Sequence, residues 1–108
     1  MESARFTYIW RYTIRPERRE AFLAAYRSAG DWARLFSRDP NYLGTDLLRN
    51  SSDPNEYLTI DYWTSASARD AFREQYAEDF AALDRECEDY TLDEALIGDF
   101  VVDTREDT

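Results

Sequence analysis

The chain of 108 residues contains no histidine, no lysine and a single cysteine. Without histidine, Ser-His and Cys-His nucleophile pairs, imidazole proton shuttles and most transition-metal or haem ligation are excluded. Without lysine, no amine is available for Schiff-base chemistry. One cysteine cannot form an intramolecular disulfide, so we expect a fold that does not depend on oxidation and a cytoplasmic location.

Glycine, positive charge and long apolar runs are also scarce. Three glycines leave no phosphate-binding loop, so we expect no nucleotide cofactor, and we predict a site without any cofactor or metal. No stretch approaches the roughly 20 apolar residues of a membrane-spanning helix. The net charge of -10 repels phosphate backbones and anionic membranes. Neither a nucleic acid nor a membrane is therefore expected as a partner.

Four segments alternate apolar and polar residues in the way that β-strands do. The predicted strands are Phe6 to Ile14, Tyr42 to Arg49, Glu56 to Trp63 and Ala95 to Val102. The polar segment 50–55 is typical of a hairpin loop, and pairing of opposite charges places Arg49 opposite Glu56. In that register Thr59, Asp61 and Trp63 share a face with Gly44 and Asp46 of the preceding strand.

Between these strands, apolar residues recur at spacings of three and four, which indicates helices. Asp31 is expected to cap a short helical piece, and Thr64 or Ser65 the last helix. The helices are predicted over residues 16–30, 32–37 and 65–88, with a bend near residues 77–79.

This order of elements predicts an α+β fold, the ferredoxin-like βαββαβ arrangement with a four-stranded antiparallel sheet. We expect a single domain over residues 1–108, with a core from 5 to 102 and a frayed tail at 103–108. Both faces of the sheet carry large apolar residues, whereas the helices cover only one. The sequence therefore predicts a homodimer that packs sheet against sheet.

Three segments give the chain a resemblance to a known family. TIRPERREAF, NYLGTDLL and YLTIDYWTSASARDAF resemble the antibiotic biosynthesis monooxygenases, and the resemblance spans residues 6–102. Its most diagnostic feature is Trp63 followed by a small capped helix with an aromatic residue, Phe72, nine positions later. The resemblance implies a dimeric α/β barrel.

The family that the chain resembles mixes several activities. Its haem-degrading members rely on a histidine in the region of Arg73, and this chain has none, so haem degradation is disfavoured. Its cofactor-free oxygenases act on aromatic polyketide-like substrates and combine a tryptophan at the position of Trp63 with an amide side chain one strand turn earlier. This chain has Thr59 in place of that amide, and a hydroxyl cannot present both ends of an amide.

Strand spacing predicts a pocket between the helices and the face that carries Thr59, Asp61 and Trp63. Such a pocket would hold a flat phenolic or quinone-like ligand by stacking and by a few hydrogen bonds. The alternative is that these large aromatic residues are simply core. The residues expected to bind the substrate are Tyr26, Trp32, Phe72 and Tyr76.

Asp61 is the candidate base, since a buried carboxyl has a raised pKa and a carboxylate can take a proton from a phenol or a dihydroarene. Thr59 and Arg11 are the expected orienting groups, and Trp63 shapes the pocket. The alternatives are that Asp61 forms a structural ion pair, for example with Arg11, or that it is a partly solvated acid at the edge of the dimer. The predicted function is a cofactor-independent monooxygenase, or a related enzyme such as an isomerase, acting on a small aromatic or polyketide-like molecule. The alternative is a non-catalytic dimeric module of the same fold that binds a small ligand or has a structural role.

Overall fold

The structure, a computed structural model, describes residues 5–103. Its strands are β1 (Phe6–Ile14), β2 (Tyr42–Arg49), β3 (Glu56–Trp63) and β4 (Thr91–Val101). Its helices are α1 (Arg19–Tyr26), α2 (Asp31–Phe36), α3 (Ala66–Gln75) and α4 (Ala77–Cys87), with 3-10 turns at Pro16–Arg18 and Glu88–Tyr90. The strands form one antiparallel sheet in the order β2-β3-β1-β4. The predicted ferredoxin-like α+β fold is confirmed.

The ends of most elements agree with the sequence pattern. The first three strands have the predicted bounds, and the Ser65 hydroxyl caps α3 by accepting a hydrogen bond from the Ala68 amide at 3.1 Å. The cap predicted at Asp31 is wrong, because Gly30 holds the N-cap position and the Asp31 carboxylate pairs with Arg34. The fourth strand starts at Thr91, four residues before the predicted start, because this residue still pairs with the end of β1. Apart from Asp103, the predicted frayed tail lies outside the described residues.

The predicted pairing of β2 with β3 is wrong by one residue from Gly44 to Arg49, although Tyr42 lies opposite Trp63 as that register requires. Arg49 lies opposite Tyr57, and the hairpin closes one step further out, where the Asn50 amide donates to the Glu56 carbonyl at 2.9 Å. The Asn50 side chain also accepts from the Ser52 and Asp53 amides and so holds the loop. This turn chemistry outweighs the ion pair that charge pairing predicts. As a result Thr45 lies opposite Asp61.

The helices cover one face of the sheet, and the core lies between them. It is built mostly of aromatic rings, which pack in tilted and edge-on pairs apart from the stacked pair Phe22 and Tyr26. Its fully buried side chains are Ile14, Phe22, Trp63 and Phe72. The hairpin loop is fixed to this layer by Arg19, whose guanidinium donates to the Asn55 side chain at 2.6 Å and to the Tyr57 hydroxyl at 3.0 Å.

None of the helices within residues 5–103 covers the opposite face of the sheet. By strand alternation and register this face carries Ile9, Leu48, Leu58, Ile60 and Phe100. Leu48 and Phe100 are 43% and 47% exposed. Among the helices that the structure describes, none has the length and apolar character needed to span a lipid bilayer.

Candidate active site

Four side chains of β3 point from the sheet towards the helices, since alternate residues of a strand share a face. Tyr57, Thr59, Asp61 and Trp63 are all buried, at 5%, 4%, 7% and 0% exposure. The sequence therefore correctly predicts which residues β3 turns inwards. Their surroundings differ greatly along the strand.

Trp63 lies at the closed end of this interior. Its ring is 5.4 Å from those of Tyr42 and Phe72 and 5.7 Å from that of Phe36, measured between centroids. Of these rings, Phe36 lines the open space beneath the helices, which Trp63 itself does not line. Trp63 thus lies behind the lining residue Phe36, and its role in shaping the pocket stays a prediction.

A partly open cavity of about 330 Å³ lies next to the other half of the strand. The space is large enough for a small aromatic molecule. Its aromatic lining consists of Tyr8, Trp10, Tyr12, Tyr26, Trp32, Phe36 and Phe80. Its remaining lining consists of Ala33, Thr45, Thr59, Asp61, Arg73, Asp84 and Glu94.

Asp61 is the buried acid of this cavity. Its Oδ1 accepts a hydrogen bond of 2.6 Å from the Thr45 hydroxyl, which in turn contacts the Tyr42 hydroxyl. Within residues 5–103 no arginine lies within 4.0 Å of its carboxylate. Burial raises the pKa of Asp61 from 3.8 to about 6, and the hydrogen bond from Thr45 offsets only part of this rise. The carboxyl can therefore exchange protons near neutral pH.

Two tyrosines of β1 supply hydroxyls beside this acid. Tyr8 lies directly opposite Asp61 in the sheet, and the Tyr12 hydroxyl is 3.3 Å from Oγ1 of Thr59. Burial raises the pKa of both Tyr8 and Tyr12 above the usual value for tyrosine, so both remain neutral hydrogen-bonding groups. The Arg69 guanidinium stacks on the Tyr8 ring at 4.7 Å from its centroid and helps to fix it.

Arg11 does not reach the cavity, and its predicted role as an orienting group or as the partner of Asp61 is corrected. It points from the opposite face of the sheet, where its guanidinium lies 3.7 Å from Glu56 and 4.0 Å from Asp93. The strand period is the reason, because Arg11 alternates with Tyr12, which faces inwards. The arginine that lines the cavity is Arg73 of α3, whose guanidinium stacks on Phe80 at 4.6 Å.

The predicted ligand-binding aromatics divide into two pairs. Tyr26 and Trp32 line the cavity. Phe72 and Tyr76 do not, because Phe72 packs against Trp63 at the closed end and Tyr76 packs on Phe72, with centroids 4.8 Å apart.

Two acids stand at another part of the cavity wall, Asp84 on α4 and Glu94 on β4. Partial burial and the neighbouring carboxylates of Asp84 and Asp93 raise the pKa of Glu94. Among the residues that the structure describes, three acids and one arginine therefore line the cavity, which disfavours anionic ligands.

Sequence reasoning missed several cavity residues for identifiable reasons. Alternation along β1 already places Tyr8 and Tyr12 inwards, but eight tyrosines in the chain gave no basis for choosing among them. Thr45 was assigned to the wrong face by the one-residue error in register. Nothing in the sequence pattern singled out Glu94 or Asp84, since exposed acids are common in this chain.

The part of the chain that the structure describes shows neither a metal-binding cluster nor a reactive thiol. Within residues 5–103 no three His, Cys, Asp or Glu side chains are grouped so as to hold a metal ion. Cys87 is buried, and burial raises the pKa of its thiol to about 11, so the thiolate is scarce at neutral pH.

The sequence matches the antibiotic biosynthesis monooxygenase family over residues 5–85, three quarters of the chain. The chain belongs to this family. No curated protein matches the sequence. Membership agrees with the resemblance carried by Trp63 and the helix that follows it.

Solved structures share the fold at low sequence identity. An asparagine-to-alanine variant of SnoaB, a cofactor-independent oxygenase from Streptomyces nogalater, is 20% identical with a TM-score of 0.76, covering 98% of this chain and all of its own. A protein from Pseudomonas aeruginosa is 18% identical with a TM-score of 0.70, over 96% of this chain and 99% of its own. A Bordetella bronchiseptica protein described as a candidate antibiotic biosynthesis monooxygenase is 21% identical with a TM-score of 0.68. The match covers 91% of this chain and 96% of that protein.

Proposed function

We propose that the protein is a cofactor-independent monooxygenase that acts on a small, neutral aromatic or polyketide-like molecule bound in the cavity. The observation that carries this proposal is Asp61, a buried acid without a cationic partner in the described chain, facing an aromatic-lined hollow. Family membership and the likeness to the fold of SnoaB support the same reaction class.

In this proposal the Asp61 carboxylate takes a proton from an acidic CH₂ or phenolic OH of the substrate. The resulting carbanion, enolate or phenolate donates its own electrons to molecular oxygen. A C–O bond then forms at the ring carbon that carries the negative charge. For a CH₂ group, one oxygen atom stays as a carbonyl, and the other leaves as water with the two hydrogens. The substrate supplies the electrons that reduce the oxygen, so the reaction needs no cofactor.

The cavity suits such a substrate for two reasons. Its aromatic walls stack on a flat ring, and the hydroxyls of Tyr8, Tyr12 and Thr59 can hydrogen-bond to carbonyl or phenol oxygens. Three acids against one arginine favour a molecule that enters neutral. Arg73 then stands as the cation able to stabilise negative charge on the deprotonated substrate.

The test is oxygen uptake with anthrone-type and quinol-type compounds. Asp61→Asn is expected to lower the rate about 100-fold or more, the usual effect of losing a general base. Arg11→Gln is the matched control, because Arg11 lies on the opposite face, and it should keep the wild-type rate. Full activity in Asp61→Asn would refute the assignment of the base.

A second function, ligand binding without turnover, is favoured by two observations. Trp63 packs against Phe36, Tyr42 and Phe72 and is not part of the cavity lining, and Thr59 stands where an amide is expected. Binding of naphthols by the wild type without any oxygen uptake would select this alternative.

We also infer that two copies pair through the uncovered sheet face. Its half-exposed apolar side chains, such as Leu48 and Phe100, form a surface that a monomer would leave in water. Light scattering should give twice the chain mass for the wild type, and Leu48→Glu should shift the mass towards that of the monomer. A wild type that stays monomeric at high concentration would refute the dimer.

A further inference from the structure

The hydroxyls of Thr45 and Tyr42 form a chain that ends on Asp61. The Thr45 hydroxyl carries one proton and donates it to Oδ1 of Asp61, at 2.6 Å. Because this proton is committed to the carboxylate, the contact between the Tyr42 hydroxyl and Thr45 Oγ1 must have Tyr42 as its donor. The three groups are thus ordered from Tyr42 through Thr45 to Asp61.

A bulge in β2 brings the two hydroxyls together. Tyr42 lies opposite Trp63 and Thr45 lies opposite Asp61, so three steps along β2 match two steps along β3. In a regular strand, residues three apart would point to opposite faces. The extra residue lies next to Gly44, whose φ of 138° is one that glycine adopts readily and other residues rarely do.

The two carboxylate oxygens of Asp61 have different surroundings. Oδ1 is held by Thr45. Among residues 5–103, Oδ2 has no hydrogen-bond partner, yet it is not among the polar atoms sealed inside the protein. Since Asp61 lines the cavity, Oδ2 borders that open space.

We propose that Thr45 and Tyr42 are positioning residues for Asp61: Thr45 holds Oδ1 and thereby turns Oδ2 towards the bound molecule, and Tyr42 fixes the Thr45 hydroxyl as a donor. This inference rests on the proposed function for its catalytic meaning. The arrangement keeps one lone-pair direction of the base free for the substrate's proton. It also stabilises the ionised carboxyl, the form that can accept a proton.

Other charged and titratable groups line the cavity together with Asp61. They are Tyr8 and Tyr12 on β1, Tyr26 on α1, Arg73 on α3, Asp84 on α4 and Glu94 on β4. Substitutions confined to Thr45 and Tyr42 leave all of these in place, so differences between such variants report on the two hydroxyls.

The test is the titration of the Asp61 carboxyl carbon by ¹³C NMR, with Asp61→Asn identifying the signal. Thr45→Val, which keeps the shape but removes the donor, should raise the Asp61 pKa by about one unit. Thr45→Ser should return it to the wild-type value. Tyr42→Phe should give a smaller rise, and it should add nothing in the Thr45→Val background, because Tyr42 acts through Thr45.

An Asp61 pKa that is the same in Thr45→Val, Thr45→Ser and wild type would overturn the proposal, as would an independent, additive effect of Tyr42→Phe. Circular dichroism checks that each variant is folded, and Tyr42→Phe provides the test if Thr45→Val is not. The titration needs no substrate. If the shifts occur but the wild type consumes no oxygen, the proposed function fails while the positioning of the carboxyl stands.

Discussion

Asp61 and Trp63 lie two residues apart on the same face of β3, yet the regions around them differ in kind. Trp63 is fully buried by rings within 5.7 Å, whereas Asp61 is held by one hydroxyl and borders a hollow of about 330 Å³. The closed region contributes stability through packing. The open region leaves volume unfilled and an acid without a cation, which costs stability and is typical of functional sites.

The largest expected effect comes from breaking the closed region. Trp63→Ala removes a fully buried ring and should lower the free energy of unfolding by about 3–5 kcal/mol. Trp10→Ala is the matched variant at the cavity, and it should cost less than half as much because Trp10 is only half-buried. Urea denaturation measures both. Equal losses would mean that the two regions are packed alike.

The next effect concerns the charge of Asp61. Because its folded-state pKa of about 6 lies above the ordinary 3.8, the native state binds more protons between these values, and wild-type stability should fall as pH rises through this window. The full loss is roughly 3 kcal/mol. Asp61→Asn, which cannot ionise, should lack this fall and be the more stable protein at pH 7. Parallel stability curves from pH 4 to pH 7 would show that the acid is not buried as described.

A smaller effect should appear in ligand choice. Three acids and one arginine line the cavity, so a neutral naphthol should bind at least about tenfold more tightly than the corresponding naphthoate. Glu94→Gln should narrow this difference in affinity between the two ligands, because it removes one of the negative charges that line the cavity. Calorimetric titration at pH 7.5 measures both ligands. Preference for the carboxylate would contradict the neutral substrate class.

The bulge of β2 next to Gly44, which lies between Tyr42 in the closed region and Thr45 in the open region, can be tested with Gly44→Ala. An added Cβ would contact nothing within 4 Å, so the only penalty is the positive φ, about 1 kcal/mol of stability. Ala33→Gly, a buried helical position, provides a control of similar size and different cause. A Gly44→Ala protein as stable as the wild type would show that the bulge relaxes at no cost.

The smallest effect should come from outside both regions. Arg11 is 41% exposed and its two ion pairs are long, so Arg11→Gln should change stability by less than about 1 kcal/mol. It should also leave the affinity for naphthols unchanged, as measured by the same calorimetric titration. A clear loss of affinity would reopen a role for this residue at the site.

The sequence alone predicted the fold because its signals are local. Alternation defined β1 to β3 to the residue, and Ser65 marked the start of α3. It also placed Asp61 on the inward face. Pairing between strands depends instead on turn chemistry and on the bulge at Gly44, and charge pairing at Arg49 suggested the wrong register.

Which residues meet at the site depends on that strand register and on the packing of side chains between the helices and the sheet. Thr45 meets Asp61 only when the strands are aligned as they are, and the closure around Trp63 depends on the volumes of rings from three other elements. Neither could be predicted from spacing. Arg73 follows Phe72 on α3, and which of the two faces the cavity depends on how the helix lies on the sheet.

The most direct test is one NMR titration of the wild-type Asp61 carboxyl, with and without a saturating neutral naphthol. A buried acid that faces a binding cavity should titrate near pH 6 in the free protein and higher in the complex, since the ligand displaces water from around Oδ2. An Asp61 that titrates near its ordinary value and does not respond to the naphthol would contradict both the buried base and the ligand site.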